Sequence, residues 1–173
     1  LLELCLPALK AMSAAQYQTF KQTLLRLIQA DQHIALHEWC LFQLVRHYLD
    51  PEFVSTKPSR ARYRKLQQVA APVQTVLSLL AHEGSGESGD MFRLGANTLG
   101  LTGLTLLPVQ QCGITDFSQA VHTLADCYPL LKPRLLKAMT LAAGSDKLLS
   151  AVEWEIIASI AAVMDCPLPS PTK

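Results

Sequence analysis

Leu36-His37-Glu38-Trp39-Cys40-Leu41-Phe42-Gln43-Leu44-Val45-Arg46-His47-Tyr48-Leu49 is the stretch on which the fold class turns. Leu41, Leu44, Val45 and Tyr48 recur at helical spacing and predict a buried stripe, with Gln43, Arg46, His47 and Asp50 on the wet face. Asp50-Pro51 then reads as a stop, because the residue before a proline is pushed out of the α region. Toward the N-terminus, Ser13-Ala14-Ala15-Gln16 has the form of a capping box and predicts a helix to about Ala30, with Phe20, Leu24, Leu27 and Ile28 on one face. A helix over Leu1 to Ala11 precedes it. In the other direction, Ser59 to His82 reads as one long helix kinked or divided by Pro72. Asp90 and Asp116 read as caps, of a helix from Met91 to about Leu99 and of one reaching Tyr128. Pro133 suits the first turn of a helix to about Ala143, and Ser150-Ala151-Val152-Glu153 is a full capping box for a last helix to Asp165. No run alternates apolar and polar residues with β-branched enrichment. The expected fold class is all-α, a helical bundle of about seven to nine helices.

The 173 residues suffice for one ordinary domain or two very small ones. Half the chain is apolar and 17% is charged, which excludes a disordered tail. Glu83 to Gly89 is the one clear flexible linker, so the expected layout is a helical unit over 1–82, a linker over 83–89 and a second unit over 90–173, forming one compact domain overall. The formal charge of +1 leaves no long-range pull toward nucleic acid. No nucleic-acid partner is expected. The uncharged interval from Leu94 to Thr115 holds four glycines and Pro108 and is not apolar enough for a membrane span. Cys5, Cys40, Cys112, Cys127 and Cys166 are odd in number and contain no Cys-x-x-Cys pair, and they read as reduced core thiols that favour the cytoplasmic side. The opening Leu1-Leu2-Glu3-Leu4 lacks an initiating methionine and predicts a segment of a longer polypeptide.

Several motifs invite chemistry. His37-Glu38-Trp39-Cys40-Leu41 begins like the zinc-protease HExxH, but leucine stands where the second histidine must be, so Glu38 reads as a cap reaching back to a backbone N–H. His33, His37 and Cys40 are weak candidates for a structural metal. Asp31 with Glu38 falls short of the twelve-residue, oxygen-rich EF-hand loop. Gly84, Gly86 and Gly89 spell GxGxxG, yet a helix enters the turn where the dinucleotide fingerprint requires a strand. Lys57, Arg60, Arg62, Arg64 and Lys65 form the clearest charge asymmetry and could contact an anion or a partner at the expected helix start. No nucleophile is paired with a base by spacing, and no catalytic residue is assigned. The caps Ser13, Asp116, Ser150, Glu38 and Glu153 are assigned structural roles.

A weak repeat crosses this layout. Asp31, Glu38, Trp39 and Asp50 recur at the same spacing as Asp146, Glu153, Trp154 and Asp165, which implies two related helix-loop-helix units. Ala30 to Ile34 followed by Glu38, and Ser145 to Ser150 followed by Glu153, resemble the acidic loop and helix of TerB-like domains. The usual Asp-Gly turn of those domains is here Asp31-Gln32 and Asp146-Lys147. Leu1 to Lys10, Tyr48-Leu49-Asp50-Pro51 and Met164 to Pro169 are similar to the C-terminal region of bacterial membrane-bound zinc metallopeptidases of the HtpX and CAAX prenyl protease (Ste) type. That resemblance implies a non-catalytic accessory domain for protein interaction or regulation, with two TerB-like pseudo-repeats and no enzymatic activity of its own. The implied parent is a membrane-anchored peptidase whose zinc and HExxH lie outside this segment, so no cofactor is expected here. The implied partner is the parent's peptidase domain or another protein. The alternative is a TerB-like metal- or anion-sensing module using the Asp31 and Asp146 loops or the basic cluster.

Overall fold

Ser13 and Gln16 open a helix by exchanging bonds: the Ser13 N–H donates to Gln16 Oε1 at 2.8 Å and the Gln16 N–H to Ser13 Oγ at 3.3 Å. Local chemistry of this kind starts only some of the helices. The computed structural model describes residues 2–29, 36–54, 61–144 and 149–167, with residues 2–4 as backbone only. Eight α-helices, two short 3-10 helices and no strand occur among them, so the chain is an all-α helical bundle. It divides into two compact units, Leu1–Pro58 and Ser59–Lys173.

The first unit holds α1 (Leu2–Lys10), α2 (Ala14–Gln29) and α3 (Leu36–Phe53), with α1 and α2 both packed on α3. Its core is Tyr17, Val45 and Leu49, covered by Leu6, Leu9, Met12, Phe20, Leu24 and Phe53. The buried face of α3 is rotated from the expected one. Trp39, Cys40, Gln43, Val45, Leu49 and Asp50 are buried, while Leu41 and Tyr48 are 44% and 40% exposed. On α2 the stripe begins at Tyr17, fully buried, and Leu27 is 67% exposed. Asp50-Pro51 does not stop α3 either. Pro51 forfeits the bond that an N–H there would give the His47 carbonyl, but the further turn lets the Val54 N–H reach the Asp50 carbonyl at 2.8 Å and stacks Phe53 on Tyr17 at 4.6 Å between ring centroids.

The second unit is built around α4 (Ala70–Glu83), which packs on α5 (Ser88–Leu99), α6 (Ile114–Ala125) and α7 (Lys132–Ala143); α8 (Ala151–Val163) packs on α6 and α7. Every residue of α4 from Val76 to Ala81 is buried, as expected of a helix that is apolar nearly all round. The expected long helix from Ser59 does not form over the described residues. Residues 61–65 are extended, a 3-10 helix covers Leu66–Val69, and α4 starts at Ala70. Pro72 therefore falls in the first turn of α4, where its missing N–H has no helical partner to lose, and it neither kinks nor divides the helix.

The division between units lies ahead of the 83–89 segment, because α4 and α5 pack together on either side of it. That segment is a short turn within the second unit. A Cβ at Gly84 would stand 2.3 Å from the Ala143 carbonyl oxygen, and Ser85 Oγ donates to Glu153 Oε1 at 3.0 Å. Glu87, not Asp90, caps α5, accepting the Asp90 N–H at 2.7 Å. Gly113 takes the cap position of α6 and Asp116 lies inside its first turn, where a carboxylate still favours the helix dipole. The uncharged 100–113 interval runs irregularly, with left-handed Gly100 and Gly103 and a 3-10 helix at Val109–Gln111. One stripe of α4 holds it: Gln74 Nε2 donates to the Thr105 carbonyl at 2.7 Å, and Ser78 Oγ accepts the Leu107 N–H at 3.0 Å. His82 Nε2 lies 2.8 Å from the Leu107 carbonyl oxygen, which can only accept, so this nitrogen carries a proton.

The residues matched by the repeat occupy unlike surroundings. Asp50 is buried inside a helix of the first unit, whereas Asp165 is exposed in a left-handed turn after α8. Trp39 is buried and Trp154 half-buried. The loop members Asp31 and Asp146 lie outside the described residues.

Candidate functional site

Arg62 and Arg64 stand on the extended segment that enters the second unit, and Lys65 ends it at the N-cap of the 3-10 helix Leu66–Val69. Tyr63 pairs in a parallel bridge with Cys127, and the Arg62 and Tyr63 N–H groups donate to the Asp126 carbonyl at 2.7 and 3.2 Å while the Tyr128 N–H donates to the Tyr63 carbonyl at 2.9 Å. Successive side chains of an extended segment point to opposite sides. Tyr63 is accordingly half-buried and Arg62 and Arg64 exposed. Arg62 Nε lies 3.5 Å from Asp126 Oδ2, and Arg64 Nε donates to the Tyr128 hydroxyl at 2.7 Å with its guanidinium carbon 4.9 Å from the ring centroid. Each guanidinium keeps further N–H donors beyond the Nε that makes these contacts. The cluster therefore presents three cations against one carboxylate. Lys57 and Arg60, its other expected members, lie outside the described residues.

The second polar centre escaped the sequence reading because it placed Asp50 on the wet face. The Asp50 carboxylate sits between α2 and α3, taking the Tyr17 hydroxyl at 2.6 Å and Lys21 Nζ at 2.7 Å on Oδ1, and Arg46 Nε at 3.1 Å on Oδ2. Burial by itself raises the Asp50 pKa, but the bonds from Lys21, Tyr17 and Arg46 outweigh it and hold the carboxyl below its ordinary range. Burial, and then the bond to Asp50, push the Tyr17 phenol well above its own. The available signal was the spacing: Tyr17 and Lys21 are four apart on α2, and Arg46 and Asp50 four apart on α3.

Among the described residues two further charged side chains are buried. Lys132 Nζ donates to the Met164 carbonyl at 2.6 Å, tying the start of α7 to the end of α8. Glu153 closes the capping box with Ser150, accepting the Ser150 N–H at 2.7 Å and returning its own N–H to Ser150 Oγ at 3.2 Å, and it also accepts Ser85 Oγ. Burial raises its pKa, and the bonds from Ser150 and Ser85 bring it below the ordinary value. Burial pushes the Cys127 thiol up to about 11 against the opposing charge of Lys132, and it raises Cys112 and Cys166 as well. Such thiols are poor nucleophiles.

The weak metal candidates do not assemble into a described site. His37 is exposed, Cys40 is buried on the same helix, and His33 lies outside the described residues. Among the described residues no group of three His, Cys, Asp or Glu could hold a metal ion. Glu38 is half-buried in the first turn of α3, while residues 31–35, just ahead of the helix, lie outside the described residues. Leu41 stands at the second ligand position of the HExxH pattern, so these residues do not fit a catalytic zinc. Of the described helices, none is long and apolar enough to cross a membrane. No family model, curated protein or solved structure matches the chain at significant similarity.

Proposed function

We propose that the chain is a non-catalytic accessory domain, serving protein interaction or regulation in a larger membrane-bound zinc metallopeptidase of the HtpX or CAAX prenyl protease type. The observation that carries the non-catalytic part is how the buried ionisable groups are used. Asp50, Lys132 and Glu153 each spend their bonding on joining one helix or turn to another, which is the work of a scaffold. The peptidase part rests on the sequence resemblance at Leu1 to Lys10, Tyr48 to Pro51 and Met164 to Pro169. In this reading zinc belongs to the parent's catalytic domain, and the present residues contribute surface alone.

The gene sequence upstream of Leu1 tests the parentage: an HExxH and hydrophobic spans are expected, and their absence overturns it. Proteolysis by the isolated, zinc-loaded chain that is abolished by Glu38→Gln overturns the non-catalytic assignment. A second reading, an anion-sensing module, is favoured by the three exposed cations gathered at Arg62, Arg64 and Lys65. Calorimetric titration with zinc, calcium and a soluble inositol phosphate separates the two. Saturable binding supports the sensor, and flat isotherms support the accessory domain.

A further inference from the structure

We propose that the Arg62–Lys65 segment and the turn at Tyr128-Pro129-Leu130 together form a docking surface for an anionic lipid bilayer. The proposal is independent of the peptidase reading, since it uses only the second unit's own surface. The Tyr63 to Cys127 bridge sets the two segments side by side, and the Arg64 to Tyr128 bond joins their side chains. The turn is fixed by its own backbone, the Leu131 N–H donating to the Tyr128 carbonyl at 2.9 Å and the Lys132 N–H to that of Pro129 at 3.3 Å. At its tip Leu130 is 88% exposed, the highest exposure among the large hydrophobic residues described, and Pro129 beside it is also exposed.

An isolated surface leucine is ordinary. A leucine raised on an ordered turn beside three cations and a tyrosine is a combination that suits a bilayer. The cations meet acidic headgroups, the tyrosine ring sits at headgroup level, and the leucine enters the acyl boundary. A soluble phosphate has use for the cations and none for Leu130. Single-stranded nucleic acid needs free aromatic faces for stacking, whereas Tyr63 is half-buried at the bridge and Tyr128 is engaged by Arg64.

Co-sedimentation of the full 173-residue chain with phosphatidylcholine vesicles, with and without phosphatidylserine, tests the idea. Binding is expected only with phosphatidylserine and should weaken as salt rises. Lys65→Gln is expected to reduce it about 5-fold, the share of one cation near an acidic surface. Leu130→Gln should reduce it about 10-fold by removing an apolar side chain from the acyl boundary, and Leu130→Trp should increase it. Both positions are exposed, and circular dichroism confirms that the variants remain folded. The proposal is overturned by failure to bind phosphatidylserine vesicles, or by indifference to both Leu130 variants. Displacement by millimolar inorganic phosphate, or equally tight binding of single-stranded RNA, also overturns it.

Discussion

Tyr17→Phe removes a single hydroxyl from the interface of α2 and α3 and leaves the ring, its burial and its stacking on Phe53 in place. A hydrogen bond to a charged group contributes roughly 1.5–3 kcal/mol. After the substitution Asp50 still holds Lys21 and Arg46, so the loss should fall at the lower end, about 1.5 kcal/mol. Asp50→Ala is worse, about 2–3 kcal/mol, because it strands the Tyr17 hydroxyl in a buried site. The two cations contribute less to that figure, since Lys21 and Arg46 are 24% and 38% exposed and regain water. Combining the substitutions removes both partners, and the cycle should show a coupling of about 1–2 kcal/mol. Urea unfolding followed by Trp39 fluorescence in a Trp154→Phe background reports on the first unit, because the other tryptophan belongs to the second. Additivity within about 0.5 kcal/mol would refute the account of Asp50 as the tie between α2 and α3. The pH dependence has a definite sign. A carboxyl whose folded pKa is depressed stabilises fully above its unfolded value of about 3.9, and the contribution fades as pH falls from there toward the lowered folded value. Asp50→Asn should flatten that acid limb.

Glu153→Ala should destabilise the second unit by about 1–3 kcal/mol by opening the capping box and releasing Ser85, with Glu153→Gln costing less because an amide can still cap; thermal melts in which Ala equals wild type would contradict this. Gly95→Ala sets two effects against each other. Helix propensity gains about 1 kcal/mol, but the new Cβ would stand 2.9 Å from the Ala138 carbonyl and 3.1 Å from Leu77 Cδ2, and overpacking of about 1–3 kcal/mol should win, giving a lower melting temperature. For the thiols, an aromatic disulfide reagent at neutral pH should label Cys5 rapidly and leave buried Cys40, Cys112 and Cys127 untouched until urea is added. Rapid labelling of Cys127 in the native chain would show that its burial and raised pKa are wrong.

Much of this molecule is written locally. The reciprocal boxes at Ser13-Gln16 and Ser150-Glu153 form between residues three apart, the position of Pro133 at the start of α7 follows from its missing N–H, and the 3.6-residue spacing of apolar side chains makes the chain helical. These features need no knowledge of distant neighbours, which is why the sequence alone determined the all-α class and several helix starts. Tertiary contact decided the rest. The face that α3 buries, the passage of α3 through Asp50-Pro51 and the burial of Asp50 itself depend on Tyr17, Lys21 and Phe53 arriving together. The extended course of Arg62 to Lys65 likewise depends on Asp126 to Tyr128, more than sixty residues away along the chain. A charged side chain at a helical position is equally compatible with solvent and with a buried set of donors until those donors are in place, and only the folded chain supplies them.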